Sequence, residues 1–189
     1  MPDFFDVLKG RRSVRSYSEE PVSEEQLQEL VDLAILAPSA MNLQPWRFTV
    51  ITNRQALADV NTRVKEILCE QHIAEKMKME NLQAALSAPD FSIFYHAPAL
   101  VVITAEKGNT VAAIDCQLAA ENLFLAAHAR GLGTCYMGFL FFGQEDPKVR
   151  EALRIPDGHE MVAACCVGHP AAMPEGPPQR RPAHIDWVR

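Results

Sequence analysis

No stretch of the sequence stays apolar for long enough to span a bilayer. The opening residues, Met1-Pro2-Asp3-Phe4-Phe5-Asp6, also lack the basic start and long apolar run of a secretory signal. A soluble, cytoplasmic protein with no membrane partner is therefore expected. Positive charge is in deficit as well: 18 Lys and Arg against 24 Asp and Glu leave a net charge of −6. A general nucleic-acid binder needs a basic face to displace counterions from phosphate, so nucleic acid is not an expected partner. Cys69, Cys116, Cys135, Cys165 and Cys166 form an odd set without a C-x-x-C pair. That suits neither a disulfide framework nor a zinc site, and reduced thiols packed as small hydrophobes are expected.

Familiar catalytic signatures are missing too. There is no G-x-x-x-x-G-K-S/T phosphate loop, no G-x-S-x-G nucleophile elbow and no H-E-x-x-H zinc motif. Gly131-Leu132-Gly133-Thr134-Cys135-Tyr136 approaches a dinucleotide fingerprint, but Tyr136 stands where the third glycine belongs. The glycines also follow a predicted helix and precede a strand, the reverse of the required order. His159-Glu160 reads as a turn pair before a strand, and none of the six histidines lies in a recognisable catalytic setting.

What the chain does have is length and composition for one domain with a full core: 189 residues, 48% hydrophobic and 22% charged. The expected organisation is a single domain over 1–189, with 170–189 as a C-terminal arm. Within this acidic chain, Gly10-Arg11-Arg12-Ser13-Val14-Arg15-Ser16-Tyr17 gathers three guanidinium groups and two serine hydroxyls. If it runs extended, Arg11, Ser13 and Arg15 share one face, a row of forked and neutral donors suited to an anion. Two readings fit: an anion site, and a solvated turn whose arginines pair with Glu19, Glu20 or Glu24.

Asp3 is placed to cap a short helix that Gly10 would stop, and Ser23 with Gln26 forms a capping box for a second helix, closed by Pro38. Residues 37–46, with two prolines and no usable period, read as a loop. A strand over 46–52 precedes a helix capped by Asn53 with Leu57, Val60, Val64 and Ile67 on its buried face. Residues 71–86 read as weakly patterned helix carrying Met77 and Met79, suited equally to a lid or pocket wall and to a loose surface helix. A buried strand follows over 99–105, then a helix over 112–130 that is apolar nearly all round, ended by Gly131. In one small domain such a helix is hard to cover, so a second copy of the chain is expected over part of it. Strands over 134–139 and 161–168, with a short helix opened by Asp146-Pro147 between them, complete the pattern.

Three stretches taken together resemble the nitroreductase family. They are Arg11-Arg12-Ser13-Val14-Arg15; Pro38-Ser39-Ala40-Met41-Asn42-Leu43-Gln44-Pro45-Trp46; and Gly131-Leu132-Gly133-Thr134-Cys135-Tyr136-Met137-Gly138. Pro178-Gln179-Arg180-Arg181-Pro182 resembles that family's final arginine element, and order and spacing match along essentially the whole chain. The resemblance implies an α+β fold, with a mixed, mostly antiparallel sheet flanked by helices, in an intertwined homodimer holding FMN at the subunit interface. It implies an NAD(P)H-linked oxidoreductase whose acceptor is a small nitroaromatic or quinone. The alternatives are a non-catalytic flavin-binding redox sensor, or a flavin-fragmenting or dehalogenating relative. Catalytic side chains are not expected, since the chemistry would take place at flavin N5. By the same likeness Arg11, Ser13 and Arg180, with Arg12 and Arg181 beside them, would hold the flavin phosphate. Arg15 would lie near the pyrimidine edge, Pro38, Ser39, Ala40 and Asn42 would reach in from the other subunit, and Tyr136, Met137 and Gly138 would run along the ring. Ala40 departs from a serine and Met137 from an acidic residue found in relatives. The contact to the far pyrimidine edge falls within 66–94 without a match to one position. Phe94 and Tyr95 read as core or interface packing, with the substrate pocket as their other place.

Overall fold

Side-chain caps decide where most helices of this chain begin. In the computed structural model, which describes residues 3–189, Asp3 accepts the Phe5 N–H ahead of α1 (Phe4–Gly10). Ser23 and Gln26 form the reciprocal box ahead of α2 (Glu24–Ala34). A single 3-10 turn (Ala40–Asn42) interrupts the loop that leads to β1 (Arg47–Ile51). Asn53 then caps α3 (Arg54–Glu70) by accepting the Ala56 N–H. The weakly patterned stretch is two short helices, α4 (Ile73–Lys76) and α5 (Glu80–Ser87), not one. They are broken where His72 and Lys78 take left-handed φ values of 52° and 54°.

Strand β2 (Ala99–Glu106) and helix α6 (Thr110–Ala129), capped by Asn109, follow. Gly131 turns the chain at φ 76° into β3 (Gly133–Tyr136). This strand is shorter than expected, because Gly138–Gly143 winds into a 3-10 helix. Asp146 caps α7 (Pro147–Ala152), and β4 (His159–Gly168) starts at His159, so His159 and Glu160 pair with Glu106 and Ala105 and are not a turn.

The four strands form one sheet in the order β1-β2-β4-β3, every strand pairing antiparallel. The parallel component is confined to an isolated bridge between Ser13 and Thr134. Both faces of the sheet are covered, which is why β2 reads as an unbroken apolar run. Leu100 and Val102 face Val60 and Val64 of α3, whereas Ala99 and Val101 face Leu27 and Leu30 of α2 and Leu123 of α6. The opposite flank of α6 is not covered: Val111, Ile114 and Leu118 are 51%, 60% and 43% exposed.

Two glycines admit the basic stretch to this frame. Gly10 is the last residue of α1 and not its stop, with Arg11 as the cap residue. A Cβ at Gly10 would lie 2.5 Å from His128 Nε2, so the missing side chain lets α1 approach the end of α6. At Gly133 a Cβ would lie 2.8 Å from Val14, itself buried. Gly133→Ala is therefore expected to cost about 1–3 kcal/mol in overpacking, read by chemical denaturation. Unchanged stability would mean that Val14 repacks freely and does not fix the strand beside it.

Candidate active site

The basic stretch runs extended, as its alternation required. Val14 is buried and donates its N–H to the Thr134 carbonyl at 2.9 Å, while Arg11, Arg12 and Ser13 stay partly open and Arg15 is exposed. Beyond β4 the chain turns back along this stretch. Ser18 N–H reaches the His169 carbonyl and Ala171 N–H the Ser16 carbonyl, both at 2.9 Å, and Tyr17 bridges Pro170. Further on, Arg12 Nε donates to the Gly176 carbonyl at 3.0 Å. The two ends of the chain are thereby laid side by side.

Between them lies a cavity of about 410 Å³ lined by Arg11, Arg12, Ser13, Arg15 and Arg180, with Glu175 and the prolines of the tail. Four guanidinium groups face one carboxylate there, in a chain of net charge −6. Arg181 does not line this cavity. Arg12 is largely committed elsewhere: besides Gly176 it donates through Nη1 to the Lys9 and Arg11 carbonyls at 2.7 and 2.6 Å. Its role is to lash the tail and the end of α1 together, leaving Arg11, Ser13, Arg15 and Arg180 as the freer donors. Among the described residues, Glu19, Glu20 and Glu24 form no ion pair with these arginines. Arg11 instead stands a long 3.9 Å from Glu121, whose side chain is half exposed, a weak contact.

Arg15 also lines a second cavity, of about 490 Å³, with Met77, Met79, Ile93, Tyr95, Cys135, residues 136–140 and Phe142. One side chain thus joins an anion-seeking space to an apolar, aromatic-walled one. Burial opposes the charge on Arg15, but Cys135, Tyr95 and Tyr17 outweigh it and raise the Arg15 pKa. The guanidinium sits 5.9 Å from the centroid of the Tyr95 ring. Tyr95 and His96 both adopt left-handed φ values, 54° and 58°, at this corner. Met77 and Met79 serve as pocket wall, and Phe94 is core while Tyr95 lines the space.

Residues 136–138 wall the second cavity in different ways. Tyr136 is held from outside: its hydroxyl donates to the Val162 carbonyl at 3.1 Å, and its ring stacks on Phe141. Met137 turns its side chain into the core beside Cys166. Its N–H is spent on the Ala164 carbonyl at 2.8 Å, and its carbonyl accepts from Leu140. Gly138 is open: a Cβ there would meet nothing within 4 Å, and among the described residues no acceptor takes its N–H. A glycine in a cavity wall with space above it suits a flat ligand lying close to the backbone.

Loop residues Pro38, Ser39, Ala40 and Asn42 do not line either cavity. They stand against α6, where the buried Asp115 carboxylate accepts the Ala40 N–H at 3.1 Å. The apolar pattern of this helix gave no role to Asp115. The helix carries two carboxylates, Asp115 and Glu121, and only Asp115 is buried. Gln117 was missed in the same way, and it donates to both the Tyr136 hydroxyl and the Val162 carbonyl.

His128 reports on the first cavity. Burial, then the charges of Arg11 and Arg12, push its pKa below the ordinary 6.5. An anion among those arginines offsets their charge, so the His128 pKa is expected to rise when inorganic phosphate is added, followed by proton NMR of the imidazole. A titration indifferent to phosphate would put the anion elsewhere.

A family model described as the nitroreductase family matches residues 8–169. A crystal structure of a nitroreductase with bound FMN from Bacteroides fragilis superposes with a TM-score of 0.84 over the full length of both chains, at 28% identity. The 4-nitrobenzoate reductase of a Nocardioides species is 30% identical, the match covering 88% of this chain and 80% of the relative. The NADPH-flavin oxidoreductase of Vibrio harveyi is 26% identical over 98% of this chain and 72% of its own. With the sheet order, the paired cavities and a match across most of its length, this chain belongs to the nitroreductase family.

Proposed function

We propose that the chain is a cytoplasmic, FMN-dependent oxidoreductase. It would pass electrons from NADH or NADPH to a small electron-poor acceptor such as a nitroaromatic or a quinone. One observation carries this: Arg15 connects a cavity walled by Arg11, Ser13 and Arg180 to one walled by Tyr136, Met137 and Gly138. The pair of spaces has the polarity of FMN, a phosphate at one end and a flat ring system at the other. When bound, FMN supplies the redox chemistry, taking hydride from the nicotinamide and giving electrons to the acceptor in a second, ping-pong half-reaction.

The residues present fit that group. Arg11, Ser13 and Arg180 would hold the phosphate, with Arg12 fixing the strap that carries Arg180 and Arg181. Arg15 sets a fixed positive charge where it favours electron density on the ring. The open Gly138 lets the ring lie against the chain. Met77, Met79, Ile93 and Phe142 give the acceptor an apolar seat. No His, Asp or Glu lines this second cavity, and burial pushes the Cys135 thiol up despite Arg15 beside it. The wall therefore offers positioning and electrostatics, with Tyr95 and Tyr136 as its neutral hydroxyl-bearing groups.

Pro38, Ser39, Ala40 and Asn42 lie outside both cavities, and α6 leaves Val111, Ile114 and Leu118 exposed. Both facts support a homodimer in which each copy brings this loop to the flavin of the other. The arm over 171–189, exposed throughout, with Ile185, Trp187 and Val188 on it, suits the same partner.

Purified protein is expected to bind FMN, to sediment as a dimer, and to oxidise NADH or NADPH with nitrofurazone or menadione. A flavin that neither nicotinamide reduces would favour a redox sensor, and failure to bind FMN at all would remove both. Arg11→Ala is expected to weaken FMN binding about 10- to 150-fold, the worth of a charge-assisted contact. Equal affinity in fluorescence titration would take Arg11 out of the site.

A further inference from the structure

Asp115 is the unusual residue of α6. Its neighbours Ala112, Cys116, Ala119, Ala120 and Leu123 are buried and apolar, and it is buried with them at 5% exposure. Among the described residues it forms no ion pair, and its hydrogen bond runs to the Ala40 N–H at 3.1 Å. A buried carboxylate without a cation is unfavourable, so packing alone would be better served by an apolar residue. What the carboxylate does hold is a strained turn. Met41, Asn42 and Gln44 stand at φ 50°, 56° and 48°, a region that side chains with a Cβ avoid unless the surroundings impose it. The Ser39 hydroxyl braces the turn from within by accepting the Gln44 N–H at 3.1 Å. Asp115 braces it from outside.

The tether also sits at the rim of an uncovered surface. Val111 and Leu118, one turn to either side of Asp115 on the helix, are exposed, and so are Met41 and Leu43 on the loop. Fastening Ala40 to Asp115 makes helix and loop one surface.

On the basis of the shared-flavin reading above, we propose that Asp115 is a positioning residue acting in trans. It holds Ser39, Ala40 and Asn42 of its own chain in the shape that completes the flavin site of the partner copy. The function resides in hydrogen-bond acceptance, not in the negative charge, because its partner is a neutral amide.

Asp115→Leu keeps the branched four-atom side chain, somewhat enlarged, and removes the acceptor, whereas Asp115→Asn keeps an acceptor and removes the charge. The expected result is FMN binding weakened about tenfold or more by Leu, which leaves the Ala40 N–H without an acceptor, and restored to near wild type by Asn. Circular dichroism and sedimentation establish that both variants fold and dimerise. Differently tagged Asp115→Leu and Arg11→Ala chains are then co-expressed and the hybrid dimer isolated. Action in trans leaves one hybrid site with an intact Arg11 and an intact partner loop, so one FMN per dimer binds with wild-type affinity. Two weak sites in the hybrid would overturn action in trans, and wild-type binding by Asp115→Leu would overturn the role altogether. Asn behaving as Leu would overturn the acceptor argument. Should Arg11→Ala alone bind FMN normally, the phosphate assignment fails, and the comparison of Leu with Asn still decides the tether.

Discussion

The site depends on a short length of backbone pairing. Val14 N–H to Thr134, Ser18 N–H to His169 and Ala171 N–H to Ser16 fasten the stretch after α1 between the edge of the sheet and the returning tail. Each bond contributes modestly by itself. Their joint effect is geometric: two segments some 160 residues apart in sequence are brought into register, so Arg11, Ser13 and Arg180 share a cavity that neither segment could form alone. The glycine at 133 and the buried Val14 are the packing counterpart of the same constraint, since any side chain at 133 would push the strand off the sheet edge.

Charge is arranged against the trend of the whole molecule. A chain with net charge −6 gathers four guanidinium groups around one small space, and little nearby neutralises them. Arg12 is an exception in use rather than in place, because its donors go to three carbonyls and it acts as a lashing. The depressed His128 shows the same field from the other side: a base placed beside Arg11 and Arg12 gives up its proton more readily. The buried thiols contribute no charge. Burial pushes Cys165 and Cys166 well up, and Cys116 to about 11, which keeps them as neutral packing groups. These four buried thiols are the small hydrophobes that were expected, whereas Cys69 stands exposed on α3 and is not packed in that way.

Much of this was legible in the sequence because the signals are local. The caps at Asp3, Ser23, Asn53 and Asp146, the buried stripe of α3 and the unbroken apolar run of β2 each report a rule that acts within a few residues. The misreadings have one cause, which is that tertiary contacts reassigned a residue. Gly10 looked like a helix stop, and its real constraint is His128, more than a hundred residues away in sequence. Residues 137–139 looked like strand, but Met137 is drawn into the core and the chain coils into a 3-10 turn over the pocket. His72 and Lys78 break what composition allows as one helix, with no glycine to announce the breaks. Arg12 and Asp115 were visible as residues but not as roles, since both act on backbone groups that only the fold brings near.

The loop over 38–44 settles how these parts belong together. It is strained, largely exposed and held from behind by a buried carboxylate, features that cost stability and add nothing to the core of its own chain. Conserving packing energy would favour a relaxed turn and an apolar residue at 115. The same surface carries uncovered apolar residues on α6, and the loop lines neither of the two cavities. On the proposed shared-flavin reading, each chain would carry a half-site that it does not use itself and need one from its partner. Two copies related by a two-fold axis would satisfy both needs at once, because an isologous interface applies the same complementarity twice. On that reading the strain in the loop would couple assembly to cofactor binding, and the apolar helix that was hard to accommodate in one small domain would anchor that coupling.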